Sequence, residues 1–240
     1  MSENKLLGET HSCYKKYYEE KGADRNDVLC TPGVLFQKLA KDRAEIRALG
    51  AIGLSKDWKV LDVGCGGGTN LASLLHYGIT PEQLYGIDLM PSRIEEAQSK
   101  YPNISFHCCD ASKAPFEDGF FDLITESTMF LQLPSEPLAE DIAAEMIRLV
   151  KPGGYIMLTD WRYDFWRPGY TGLPMRRIKR LFLVGTKTKV VRREHGPLLP
   201  PLGRFLSAYA GPLYFLLHAL LPILAGQMTT VLQKTASPAE

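Results

Sequence analysis

Residues 60 to 69 read Val-Leu-Asp-Val-Gly-Cys-Gly-Gly-Gly-Thr, an apolar run that breaks into glycines at alternate positions, Gly64, Gly66 and Gly68. Glycine permits the tight bend such a run needs and lets backbone N–H groups come close to a ligand. Asp62, two residues ahead of the first glycine, bears on the ligand's sign. A carboxylate there repels phosphate and suits a cationic group such as an amine. The same bend opens dinucleotide sites and phosphate loops, so the glycines alone do not choose among them. A dinucleotide fingerprint asks for a third glycine where this chain has Thr69, and it does not place an acid before the first.

Further acids close later apolar runs. Asp88-Leu89 lies about 20 residues past the glycines, where a carboxylate can accept the hydrogen bonds of a ribose diol. Asp110-Ala111 ends the next run, Glu126 a fourth and Asp160 a fifth. One aspartate after a strand is by default a turn or cap residue. Several in register after successive strands point to one shared ligand edge. Asp160, Glu126 and His195 are the candidate proton acceptors by position. His218, inside an apolar run, reads as a packed histidine. No cluster of His, Asp and Glu has metal-ligand spacing, so no metal site is expected.

The elements that must position these groups alternate. Strand signals at Lys59–Val63, Leu84–Leu89, Ile104–Cys109, Phe121–Glu126 and Tyr155–Thr159 are separated by helix signals at Asn70–Tyr77, Pro91–Lys100 and Glu136–Val150. An amphipathic helix over Val34–Leu49 leads in, and Lys151–Gly154 is a turn. This βαβα rhythm implies an α/β fold with a mostly parallel sheet, helices on both faces, and ligands beyond the carboxyl ends of the strands. After Asp160 the rhythm changes to a basic helix at Pro174–Phe182, a strand at Lys187–Arg193, broken apolar helices at Leu202–Leu224 and a last strand at Gln227–Lys234. The expected organisation is a helical cap over residues 1–50, an α/β core over 51–165, and substrate-side helices with the last two strands over 166–240.

Composition excludes several classes. The 240 residues carry a net charge of +1, which argues against a nucleic-acid partner. Five cysteines with no CxxC pair speak against a disulfide framework or structural zinc, and fit a reducing cytoplasm. Ala208–Gly226 holds no Asp, Glu, Lys or Arg and is long enough to span a bilayer, but Gly211, Pro212 and Pro222 punctuate it. A buried or membrane-facing helical region is the expectation. Just before it, Arg176, Arg177, Lys179, Arg180, Lys187, Lys189, Arg192 and Arg193 crowd together. They read either as solvated faces or as a surface for anionic head groups.

From about Leu35 onward the chain resembles the class I S-adenosylmethionine-dependent methyltransferase family. VLDVGCGGGTNL is similar to that family's first motif, LYGIDLMP to its second-strand motif, and CCDASKAPF to its third. FFDLITEST and LVKPGGYIMLTDW resemble its fourth- and fifth-strand motifs. The resemblance implies a Rossmann-like seven-stranded fold with S-adenosylmethionine across the first four strand ends. Asp62, Gly64, Cys65 and Gly66 would then lie along the methionine part, Asp88 with Leu89 at the ribose, Asp110 with Ala111 at the adenine, and Glu126 close to the cofactor. Tyr14, Tyr17 and Tyr18 would fold over the cofactor, and Trp161, Tyr163, Phe165 and Trp166 would wall an acceptor pocket.

The Asn/Asp-Pro-Pro-Tyr signature of members that methylate base or glutamine amines is missing after the fourth strand. The layout loosely resembles methyltransferases of bacterial glycan or cell-envelope biosynthesis. O-methylation of a small-molecule or glycan acceptor is therefore expected first. A lipophilic quinone or lipid acceptor at the membrane surface and a non-catalytic cofactor-binding scaffold are the alternatives.

Overall fold

A computed structural model of the chain describes residues 27–133, 135–164, 170–186 and 188–235. Seven strands form one sheet: β1 Val60–Val63, β2 Leu84–Asp88, β3 Ser105–Cys108, β4 Phe121–Ser127, β5 Val150–Trp161, β6 Thr188–His195 and β7 Gln227–Lys234. Their order is β3-β2-β1-β4-β5-β7-β6. The first five are mutually parallel, and β7 is antiparallel to both of its neighbours. The order reverses at β1, with β2 on one side and β4 on the other. A crevice opens at such a point because the connections after β1 and β4 leave toward opposite faces.

The inner strands β1, β4 and β7 are buried on both faces, as a covered sheet requires, whereas the edge strands β3 and β6 are partly exposed. Alternation along β1 shows how. Leu61 and Val63 join the core under helix α4, whereas Val60 joins the core under helices α1, α2 and α3. Here α1 is Leu35–Ala51, α2 Thr69–Ala72, α3 Pro91–Lys100 and α4 Glu136–Leu149. Asp62 shares the parity of Val60, and this decides where its carboxylate goes.

Local sequence sets the helix ends. Pro91 opens α3, where its missing N–H costs nothing. Ser135 caps α4 by accepting from the Leu138 N–H, with Glu136 in the first turn and Arg148 in the last, as the helix dipole favours. Strand β5 already begins at Val150, so Lys151–Gly154 belongs to the strand rather than to a separate turn; Gly153, at φ +83°, absorbs the irregularity. After β5 come the short helix α5 (Met175–Ile178), the edge strand β6, and helices α6 (Pro200–Tyr209) and α7 (Gly211–Leu220). The long apolar run is thus two helices broken at Ala210. Among the described residues, no helix is long and apolar enough to cross a membrane.

Helices α6 and α7 pack with the start of α1 around Tyr214, Leu206, Ala40 and Leu198. They follow the carboxyl end of β6, which lies at the same end of the sheet as the carboxyl end of β5: Asp160 pairs with Met228, and Met228 with His195.

Candidate cofactor site

The bend after β1 is built from three glycines in the left-handed region, Gly64, Gly66 and Gly68, at φ of 73°, 52° and 77°. The Gly64 and Cys65 N–H groups both donate to the Ile87 carbonyl, at 2.8 and 2.9 Å, which staples the bend to β2. Gly66 N–H donates to Asp88 Oδ2 at 2.9 Å, and Met90 N–H to Asp88 Oδ1 at the same distance. Each Asp88 oxygen keeps lone-pair capacity for a second donor, so this fixed carboxylate has the capacity to accept from a ligand's hydroxyl groups. Asp110 Oδ1 accepts from the backbone N–H and the hydroxyl of Ser112, capping the turn over Ala111–Lys113.

These groups line a cavity of about 390 Å³, within the range of small-molecule sites. Gly64, Cys65, Gly66, Asp88, Leu89, Asp110 and Ala111 all border it, as the sequence predicts for the cofactor. Side chains without a sequence signal complete it: Arg93, Thr128, Met129, Gln132 and Leu133. Thr128 holds φ at +62°, rare for a β-branched residue, and is fixed there by its N–H bond to the Thr159 carbonyl. Leu138 and Ile142, one helical turn apart on α4, also line the cavity. Their spacing was visible in the sequence, but it reads as core.

Asp62 and Glu126 do not border this cavity. Asp62 shares Val60's face of the sheet, and its carboxylate, 2% exposed, accepts from the Thr125 hydroxyl at 2.8 Å. It lines a second cavity of about 280 Å³ under α1, with Asp42, Glu45, Thr125 and Glu126. The two cavities share Asn70 and Ser127. Burial pushes the Asp62 carboxyl up to about 7, against the pull of the Thr125 hydrogen bond. Burial, together with the charge of Asp160, also raises Glu126 well above the carboxylate range. Glu126 Oε2 accepts from the Met129 N–H at 3.2 Å, while Oε1 is buried without a hydrogen-bond partner.

Asp160 lines neither cavity. Its Oδ1 accepts from the Trp161 N–H at 2.6 Å and its Oδ2 from the Leu131 N–H at 3.0 Å. Burial raises its carboxyl to about 7, opposed by these two hydrogen bonds and by Arg177. The group pins the turn over Phe130–Gln132, a wall of the main cavity, to the end of β5. His195 is exposed at the end of β6, two strands from Asp160 and outside both cavities. Its imidazole is held below its ordinary range by partial burial and then by the nearby Arg162. His218 is buried, its Nε2 2.8 Å from the Gly196 carbonyl oxygen.

The aromatic acceptor wall does not form at the main cavity from Trp161 and Tyr163. Trp161 packs at Gly226, and the Tyr163 hydroxyl donates to the Ile223 carbonyl. Tyr14, Tyr17, Tyr18, Phe165, Trp166 and Lys187 lie outside the described residues.

The basic stretch is largely paired internally. Arg176 meets Asp164, Arg180 meets Glu136, and Arg192 meets Glu194. Arg177 is buried, donating to the carbonyls of Phe130, Thr171 and Gly172 and pairing with Glu136. Lys179, Lys189 and Arg193 are not among these pairs.

An adenosyl group fits the main cavity: a fixed carboxylate stands where a ribose diol would be read, between apolar Ile87, Leu89 and Met90 and a glycine floor that side chains would fill. A Cβ on Gly64 would lie 3.0 Å from Met129 Cγ. The fold is that of the class I S-adenosylmethionine-dependent methyltransferases, and S-adenosylmethionine is the cofactor.

Comparison with known proteins agrees. Residues 60–154 match the methyltransferase domain family. It is 32% identical to the demethylmenaquinone methyltransferase of Beutenbergia cavernae over 60% of this chain and 54% of that one. It is 31% identical to a phthiotriol/phenolphthiotriol dimycocerosates methyltransferase of Mycobacterium ulcerans over 51% and 46%. The chain thus spans about half the length of these curated relatives. Among solved structures, a Haemonchus contortus phosphoethanolamine N-methyltransferase in complex with phosphoethanolamine and S-adenosylhomocysteine superposes with a TM-score of 0.64 at 16% identity, over 100% of this chain and 51% of that one.

Proposed function

We propose that the protein transfers the methyl group of S-adenosylmethionine to a lipophilic acceptor of the quinol or phenol class. When bound, that cofactor supplies an electrophilic methyl on a sulfonium. The protein's task is to hold the nucleophile in line and keep water out. Asp88 with Leu89 would hold the ribose, the Gly64–Gly66 bend the tail, and Asp110 with Ala111 the adenine.

One observation carries the acceptor class. Among the described residues, the lining of the main cavity has no carboxylate or imidazole beyond Asp88 and Asp110, both tied to neighbouring N–H groups. A sugar hydroxyl needs a base to take its proton. A phenol ionises near pH 10, like tyrosine, and needs far less help. The apolar wall of Met129, Leu133 and Leu138 suits such a ring. The names of the two curated relatives, a demethylmenaquinone methyltransferase and a phthiotriol/phenolphthiotriol dimycocerosates methyltransferase, support a lipophilic acceptor of the quinone or lipid type. On this reading Asp160 is a positioning residue, and the glycan-type acceptor is the weaker expectation.

The test is turnover of S-adenosylmethionine to S-adenosylhomocysteine by the purified chain with demethylmenaquinol, a phenolic lipid and free sugars, with methylated products identified by mass spectrometry. Product from quinol or phenol acceptors is expected. Methylation confined to sugars would overturn the acceptor class, and bound cofactor with no turnover on any acceptor would overturn the activity.

A further inference from the structure

Helix α7, Gly-Pro-Leu-Tyr-Phe-Leu-Leu-His-Ala-Leu, inverts the usual amphipathic pattern. Its two polar side chains are the buried ones. The Tyr214 hydroxyl donates to Gln37 Oε1 at 2.6 Å and accepts from the Leu198 N–H, and His218 bonds at Gly196. Three of its four leucines face outward, Leu213 at 42% exposure, Leu216 at 52% and Leu220 at 66%, while Leu217 packs inward. The surface continues onto Ile223, 68% exposed, and onto Phe205 and Tyr209 of α6, at 59% and 80%. Soluble domains scatter single exposed apolar residues, but a contiguous face of this kind marks an interaction surface. The inner contacts are specific, so the exposure does not come from loose packing.

Charge indicates what covers it. Between Glu194 and Glu240 the chain holds no acidic residue. The rim is cationic. The Arg162 guanidinium lies 3.4 Å from the Pro222 carbonyl and over the ring of Tyr163, whose hydroxyl is bonded to Ile223. Arg193 is exposed near the end of β6, two residues before His195, where the chain turns toward α6.

We propose that the outer face of α6, α7 and residues 222–224 docks in the plane of an anionic lipid bilayer, its leucines and aromatics among the acyl chains and Arg162 and Arg193 at the head groups. Ten residues of α7 span about 15 Å, half the hydrocarbon thickness, so the helix lies in the interface and does not cross it. The docked face is at the carboxyl end of the strands, the end where the cofactor cavity opens, which brings that cavity to the surface where a lipophilic acceptor resides. Only this last consequence rests on the proposed function.

The test is co-sedimentation of the full chain with phosphatidylcholine vesicles with and without phosphatidylglycerol, alongside sedimentation velocity without lipid. Binding to the anionic vesicles is expected. The double variant Leu220→Glu/Ile223→Glu, with folding verified by circular dichroism, should bind at least tenfold more weakly. Arg162→Gln/Arg193→Gln should erase the preference for anionic lipid. No vesicle binding by the parent chain, unchanged binding by the Glu variant, or a lipid-free dimer that the Glu variant dissociates would overturn the proposal. Vesicle binding without turnover of any lipophilic acceptor counts against the proposed function alone. Turnover of a detergent-dispersed acceptor without vesicle binding counts against docking alone.

Discussion

Asp88 Oδ2 and the Gly66 N–H meet at 2.9 Å, so the carboxylate that ends β2 and the glycine bend that follows β1 form one rigid unit. The sequence separates them by 22 residues; parallel pairing of β1 with β2 brings them together.

Removing that carboxylate should act on the cofactor directly. Asp88→Ala is expected to weaken S-adenosylmethionine binding at least tenfold, about 1.4 kcal/mol, in isothermal titration calorimetry. Unchanged affinity would remove the ribose assignment.

Gly64→Ala should be doubly costly. The left-handed backbone disfavours any side chain by about 1–2 kcal/mol, and the new methyl would press on Met129 at the cavity floor. Gly153→Ala is the control: its φ is also positive, but nothing lies near the added Cβ. Urea denaturation should show destabilisation in both. Loss of cofactor binding should appear in Gly64→Ala only.

Asp62 and Asp160 titrate near 7 when folded, far above their ordinary value of 3.8. The folded chain therefore binds more protons than the unfolded chain between about pH 4 and pH 7. The resulting stabilisation is complete below that window and is lost as pH rises through it. Each group contributes a slope of up to about 1.4 kcal/mol per pH unit. Urea midpoints of the parent chain should fall relative to those of Asp62→Asn as pH is raised from about 5 to about 8. Parallel curves would show that Asp62 titrates normally.

Asp160→Asn separates a positioning role from proton transfer. The amide keeps one acceptor oxygen for either Leu131 or Trp161, so the wall over Phe130–Gln132 should loosen. KM should rise several-fold, with the pH profile of kcat unchanged in shape. A kcat loss of about a thousandfold with a displaced basic limb is what removal of a general base produces, and would restore Asp160 to that role.

Much of the molecule was legible from residues 59 to 160. Strand and helix signals there are local: β-branched runs, prolines at helix starts and glycines at bends. The cavity residues Gly64, Gly66, Asp88 and Asp110 each sit at or just past a strand end, and a parallel sheet with helical connections brings strand ends to one edge. Asp62 was less legible in its placement. Two-residue alternation turns it toward α1, and only the packing of α1 over β1 and β4 makes that side a separate acidic cavity. Asp160 looked like a base from its position after a strand; the Leu131 N–H that occupies it comes from a loop 29 residues earlier.

The sequence by itself determined the layered fold and the cofactor edge, because hydrophobic period and turn chemistry act over a few neighbouring residues. The tertiary structure decided which acids reach the cavity, which four basic residues pair with Glu136, Asp164 and Glu194, and which side of the apolar helices remains bare. Those outcomes depend on which residues distant in the chain arrive at the same place, and composition and spacing alone do not encode that meeting.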